Sequence, residues 1–201
     1  MPATQKVSKE AIIDAAENVL RKGGFESINA RSVAKELGCS TQPIYRSFRN
    51  MEELKKALTE RAIAVHTEHV RDSLRIHDDN TSTNSHYSRY SSYGMGFVQF
   101  AANEKQLFRW LYLSGKQSGP YQSDVLLPEI VEVIVDEYGC SEEIARKLHK
   151  DMMYYSYGLA ILANTDHLNL TDAELLEAFR REFLALAAYY GVSVRPLATR
   201  K

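Results

Sequence analysis

Gly38-Cys39-Ser40-Thr41-Gln42-Pro43-Ile44-Tyr45-Arg46-Ser47-Phe48 has the composition of a tight turn that opens a short helix. Just before it, Val33, Ala34 and Leu37 recur at helical spacing and mark one buried stripe over Arg31–Leu37. Gly38 follows where a helix C-terminus needs a residue tolerant of left-handed backbone. Ser40 is placed to cap a second helix by accepting from its exposed N–H groups. Pro43 falls in that helix's first turn, where its missing N–H costs nothing. Ile44 and Phe48, four apart, bury together. Two short helices joined by a glycine-containing turn form a helix-turn-helix, whose second helix enters a DNA major groove. Thr41 and Gln42 then meet base edges, Gln42 as a bidentate partner for adenine. Tyr45, Arg46 and Arg49 suit phosphate contacts. Spacing alone also fits an ordinary pair of antiparallel helices with charged outer faces.

The residues from Ala11 to Leu54 carry more than spacing. Ile12, Ala15, Ala16 and Leu20 line a first helix, followed by Gly24-Phe25, Val33-Ala34, Leu37-Gly38-Cys39-Ser40, Ile44-Tyr45, Phe48 and Glu53-Leu54. This run resembles the N-terminal domain of the TetR family of transcriptional regulators. The resemblance implies an all-α chain. Residues 1–50 would form a three-helix helix-turn-helix DNA-binding domain, and residues 51–201 a larger helical domain for effector binding and dimerisation. It implies double-stranded DNA as partner, with Arg31, Ser40, Thr41, Gln42, Pro43, Tyr45, Arg46 and Arg49 as the DNA-facing set. It also implies a repressor, released from a near-palindromic operator by a small molecule. One position departs from the pattern: where the family often has a lysine before the Glu-Glu-Leu of the fourth helix, this chain has Met51.

Composition bounds the alternatives. The chain has 201 residues, 44% of them apolar, enough for one or two globular domains. No apolar run approaches the ~20 residues that cross a bilayer, and Met1–Lys6 lacks the apolar core of a secretion signal. The expectation is a cytoplasmic protein. Cys39 and Cys140 lie far apart, which argues against a disulfide framework, and one or both read as buried small apolar residues. A net charge of −1 does not advertise a nucleic-acid binder, but Lys6, Lys9, Arg31, Lys35, Arg46 and Arg49 gather in the N-terminal quarter.

Along the chain, Ser8 caps the first helix, Gly23-Gly24 ends it, and Phe25 and Ile28 bridge into the small core. Asn29 caps the next helix. Asn50 caps a long fourth one that runs to about Arg75, and a polar loop covers His77–His86. Helical patterns return between Tyr87 and Tyr190, broken at Lys116–Pro120 and Gly139. Ser141 opens one long helix, and Thr171 with Glu174 has the form of a capping box that opens the last. These two helices are apolar on more than one face. Leu159, Ala160, Leu162 and Ala163 nearly encircle the first, and Leu184, Ala185, Ala187 and Ala188 the second. Such helices need cover on all sides. A homodimer supplies it, and the resemblance implies a four-helix interface through these two helices.

Tyr45 is the one tyrosine of 12 that lies outside the C-terminal body, which also holds the single tryptophan. Tyr93, Phe97, Phe100, Trp110, Tyr112, Met152 and Tyr155 form a candidate site for a small apolar or aromatic effector, set against the reading that they are plain core. His66 and His69, with Glu68 between, have the spacing of half a metal site, but more often such residues form a solvated face. There is no glycine-rich phosphate loop, no Gly-x-Ser-x-Gly and no ordered Ser/His/Asp set, so the expectation is no enzyme, no catalytic residue, no metal and no cofactor. The remaining rival is a helical adaptor that binds a protein instead of DNA.

Overall fold

A computed structural model of the chain describes residues 7–80 (side chains to 75), 88–114 and 125–194. Among the described residues there are nine α-helices, one short 3-10 turn and no strand. The helices fall into two compact units. The chain passes from the first unit to the second within the fourth helix, between residues 65 and 66, and returns to the first at residue 104.

The first unit begins with α1 (Lys9–Gly23), capped by the Ser8 side chain accepting from the Ala11 N–H at 3.1 Å and closed by Gly24 at φ +73°. A 3-10 turn follows (Phe25–Ser27), with Ile28 buried behind it. Phe25 does not join Ile28 in the core: it is 39% exposed. α2 (Ala30–Glu36) starts at Asn29, whose side chain accepts from Ser32. α3 (Gln42–Ser47) follows, then α4 (Met51–Asn80). The Asn50 side chain accepts from the Glu53 N–H at 3.0 Å, and Glu53 returns by accepting from the Arg49 N–H at 2.8 Å, which fixes where α4 starts. α4 runs five residues beyond the expected end at Arg75 and takes in His77–Asn80; the rest of the expected loop and the break at Lys116–Pro120 lie outside the described residues.

α6 (Lys105–Tyr112) also packs in this first unit, against α1, although it follows the fifth helix in sequence. Trp110 Nε1 donates to Thr59 Oγ1 on α4 at 3.0 Å, and Arg21 on α1 pairs with Glu104. Arg61 on α4 reaches Asp14 at 2.7 Å and Glu17 at 3.4 Å on α1, and Glu10 as well. Core and ion pairs together hold α1, α4 and α6 as one body.

The second unit is built around α5 (Arg89–Asn103), which packs on α7 (Leu127–Tyr138), α8 (Glu142–Asn164) and α9 (Asp172–Tyr189). Tyr90, Tyr93, Phe97, Phe100 and Ala101 are all buried on it. Its N-terminus is capped from outside: the Glu137 carboxylate accepts from the Arg89 and Tyr90 N–H groups at 2.6 and 3.3 Å. Gly139 ends α7 in the left-handed region at φ +65°. Ser141 caps α8, and the Thr171/Glu174 box opens α9. Cys39 and Cys140 are free thiols and are half-buried, not fully inside as expected.

Candidate nucleic-acid interface

The turn between α2 and α3 is closed by backbone geometry. Gly38 sits at φ +66°. Its N–H donates to the Lys35 carbonyl at 3.1 Å, and the Cys39 N–H reaches back to Ala34 at 3.0 Å. This is a Schellman closure, and it fixes the direction in which the chain leaves α2. Ile44 and Phe48 are each 1% exposed, so α3 is pinned on its inner side. Lys9 lies over the Phe48 ring at 4.8 Å to the centroid.

The expected cap needs correcting. Thr41, not Ser40, occupies the N-cap place of α3, and it makes no side-chain capping bond. The Thr41 carbonyl instead accepts from the Ile44 and Tyr45 N–H groups at 3.2 and 3.4 Å. Ser40 is exposed one residue earlier, its carbonyl accepting from the Cys39 thiol at 3.2 Å. Pro43 is in the first turn of α3, as its missing N–H requires.

Of the sequence-derived DNA-facing set, Arg31, Ser40, Gln42, Tyr45, Arg46 and Arg49 are exposed, and Thr41 and Pro43 are half-buried. The cations of this set, and Lys35 beside Arg31 on α2, are uncompensated. Among the described residues Arg31, Lys35, Arg46 and Arg49 enter no ion pair, while their neighbours do: Lys22 reaches Glu36 at 2.7 Å, Arg21 reaches Glu17 at 2.9 Å, and Arg61 meets three carboxylates. A face carrying free guanidinium and ammonium groups around an exposed Gln and Tyr can bind a polyanion and read base edges.

The candidate effector residues divide into four groups. Tyr93 and Met152 line a crevice in the second unit with Tyr90, Gly94, Phe179 and Phe183, where there is room for about one water molecule. Phe97 and Phe100 face the α4 histidines instead: His66 meets their rings at 5.8 and 4.8 Å. Tyr155 is half-buried with its ring 6.1 Å from Phe179. Trp110 and Tyr112 belong to α6 in the first unit. The residue missed from sequence is a histidine. His149 is 2% exposed, its Nδ1 3.0 Å from the Tyr90 hydroxyl. Its place four residues after buried Ala145 and three before Met152 was a periodic signal of burial. His66 and His69 pack on rings, and among the described residues no three His, Cys, Asp or Glu side chains gather as a metal site.

The family model for bacterial regulatory proteins of the tetR family matches residues 12–58. An HTH-type transcriptional regulator of Staphylococcus aureus (strain USA300) is 22% identical over 183 residues, spanning 89% of this chain and 91% of its own. A solved TetR-family member from Streptomyces coelicolor A3 superposes with a TM-score of 0.60 at 15% identity, covering 87% of this chain and 96% of that one. A TetR from Acinetobacter baumannii AYE, solved in complex with minocycline, gives 0.58 at 17% identity, covering 92% and 97%. At these identities the solved structures speak for the fold. No helix among the described residues is long and apolar enough to cross a membrane.

Proposed function

We propose that the chain is a TetR-family transcriptional regulator, as the family model over residues 12–58 and the similar HTH-type regulators support, and that it is a homodimeric repressor that a small effector releases from a near-palindromic operator. The observation that carries the DNA part is the exposed, unpaired set Arg31, Lys35, Arg46 and Arg49 around Gln42 and Tyr45. Gln42 reads a base edge; Tyr45, Arg46 and Arg49 hold the phosphates.

Dimerisation through α8 and α9 is supported by what a single chain leaves uncovered. Tyr154, Ile161 and Leu162 on α8, and Leu184 and Tyr189 on α9, are exposed, Tyr189 to 80%. Gly158 lies on the same α8 stripe, four residues after Tyr154, with open space where a Cβ would stand. Glycine weakens a helix interior, and a partner's close approach is a reason to have one there. Two-fold symmetry then presents two α3 helices to half-sites about one DNA turn or more apart.

The effector acts by preferring the conformation that fits DNA poorly, since a ligand with no preference shifts nothing. The test is selection of random duplex DNA by the purified protein at two salt concentrations. An enriched near-palindrome whose affinity falls steeply with salt supports the reading. Folded, dimeric protein that enriches no duplex would move the reading to a protein-binding adaptor.

A further inference from the structure

His69 on α4 has its Nε2 shut off from solvent, with no hydrogen-bond partner among the described residues. Folded chains seldom leave such an atom, because its lost hydration is not repaid. Its surroundings are rings. His69 and Phe100 lie 5.7 Å apart and tilted, and His66 stands edge-on to Phe100 at 4.8 Å and to Phe97 at 5.8 Å. Tyr157 on α8 closes on Phe97 at 5.5 Å. One turn further along α4 there is no slack: a Cβ on Gly96 would stand 2.5 Å from Ser73 Oγ. That hydroxyl is already donating to the His69 carbonyl at 3.2 Å, so it does not serve the imidazole.

A lone water is a poor answer to the orphaned nitrogen. A buried water needs two to four polar partners; the Phe97 and Phe100 rings offer it none, and the polar atoms of His66 and Tyr157 stand against those same rings, so an occupant has to meet aromatic faces as well as polar atoms. A metal is a poor answer too, since no three ligating side chains gather among the described residues. A flat apolar body with one polar atom meets both demands. It stacks or sits edge-on among the rings and gives the nitrogen its hydrogen bond.

We propose that His69 is the polar anchor of the effector site, and that the effector class is a flat aromatic or conjugated molecule presenting one hydroxyl or carbonyl oxygen. This rests on the ligand-released reading above and narrows it. Neutral imidazole can donate or accept at Nε2, according to tautomer, so a phenol and a ketone both qualify.

The test uses the full chain and two pairs of probes matched in shape: 2-naphthol against naphthalene, and 9-fluorenone against fluorene. The expected result is that each oxygen-bearing probe moves the His69 imidazole nitrogen resonance and binds roughly tenfold tighter than its hydrocarbon partner, the equivalent of one hydrogen bond. In His69→Phe, which keeps a flat ring and removes both nitrogens, the preference should collapse toward parity while the unliganded melting temperature holds or rises. A merely structural histidine would not separate those two readouts. Equal binding within each pair, no binding up to about millimolar probe, or a preference that survives His69→Phe would each overturn the proposal. If the variant does not fold, the nitrogen resonance of the unmutated chain decides alone. Duplex selection is a separate arm: a chain that selects DNA yet shows no His69 response loses this anchor only, and a His69 response without selected DNA removes the regulator reading only.

Discussion

Gly38 holds φ +66° with nothing within 4 Å of where a Cβ would stand. A side chain there meets only the backbone penalty of the left-handed region. Gly38→Ala should therefore cost about 1–2 kcal/mol in urea unfolding, and Gly38→Asn less. The interface residues separate by what they touch. Gln42→Ala should relax preference at one or two base pairs by about 1–3 kcal/mol and leave binding to unrelated duplexes nearly unchanged. Arg46→Ala should weaken binding to every sequence and reduce the salt slope by about one. Competition among duplexes over a salt series distinguishes them, and an unchanged preference in Gln42→Ala would remove its base-reading role. At this scale the sequence was readable wherever one residue type answers one backbone need, as Gly38, Pro43 and Asn50 do. Ser40 and Thr41 are both competent caps and are adjacent, so composition could not say which of them ends the turn.

Helix starts were legible for the same reason. Ser8, Asn29, Asn50, Ser141 and Thr171 each accept from the backbone N–H expected of a cap. What periodicity could not reveal was which helix belongs with which. α6 has one strongly apolar face, and that pattern is the same whether the face lies on α1 or on α5; only the fold puts it on α1. The candidate effector set scattered for that reason, taking Trp110 and Tyr112 into one unit and Tyr93 and Met152 into the other. α4 outruns its expected end because its polar last turn lacks the apolar stripe that marks a helix. The α4–α5 crossing gives an element-scale prediction. Gly96 is helical, so added bulk there acts through packing: its Cβ would meet Ser73 Cβ at 2.9 Å and Val70 Cα at 3.5 Å. Gly96→Ala should destabilise by about 1–3 kcal/mol despite alanine's better helix propensity. Ser73→Gly should recover part of that loss, so thermal unfolding of the double variant should show less than the summed cost.

At the scale of the whole molecule, the chain commits α4 to both units, with Arg61 fixed on α1 in one and His69 packed on Phe100 in the other. The DNA-binding unit's ion pairs and the proposed effector anchor therefore lie on one continuous helix. Dimerisation decides whether this matters for an operator, because one α3 helix holds one half-site and the second makes the next contact effectively intramolecular. Gly158 is the residue that tests it without touching either unit's core. It is exposed in the middle of α8 with open space around it, so within one chain Gly158→Ala should add roughly 0.5–1 kcal/mol of stability. Gly158→Leu should also be tolerated by the isolated chain, since Gly158 is exposed and nothing lies within 4 Å of where a Cβ would stand. Across a close helix pair the same leucine is a wedge. The expected outcome is a well-folded Gly158→Leu protein that sediments as a monomer and binds the selected duplex at least about a hundredfold more weakly, while a single half-site is bound as before. A Gly158→Leu protein that stays dimeric, with operator affinity intact, would place the subunit contact on another face of the molecule.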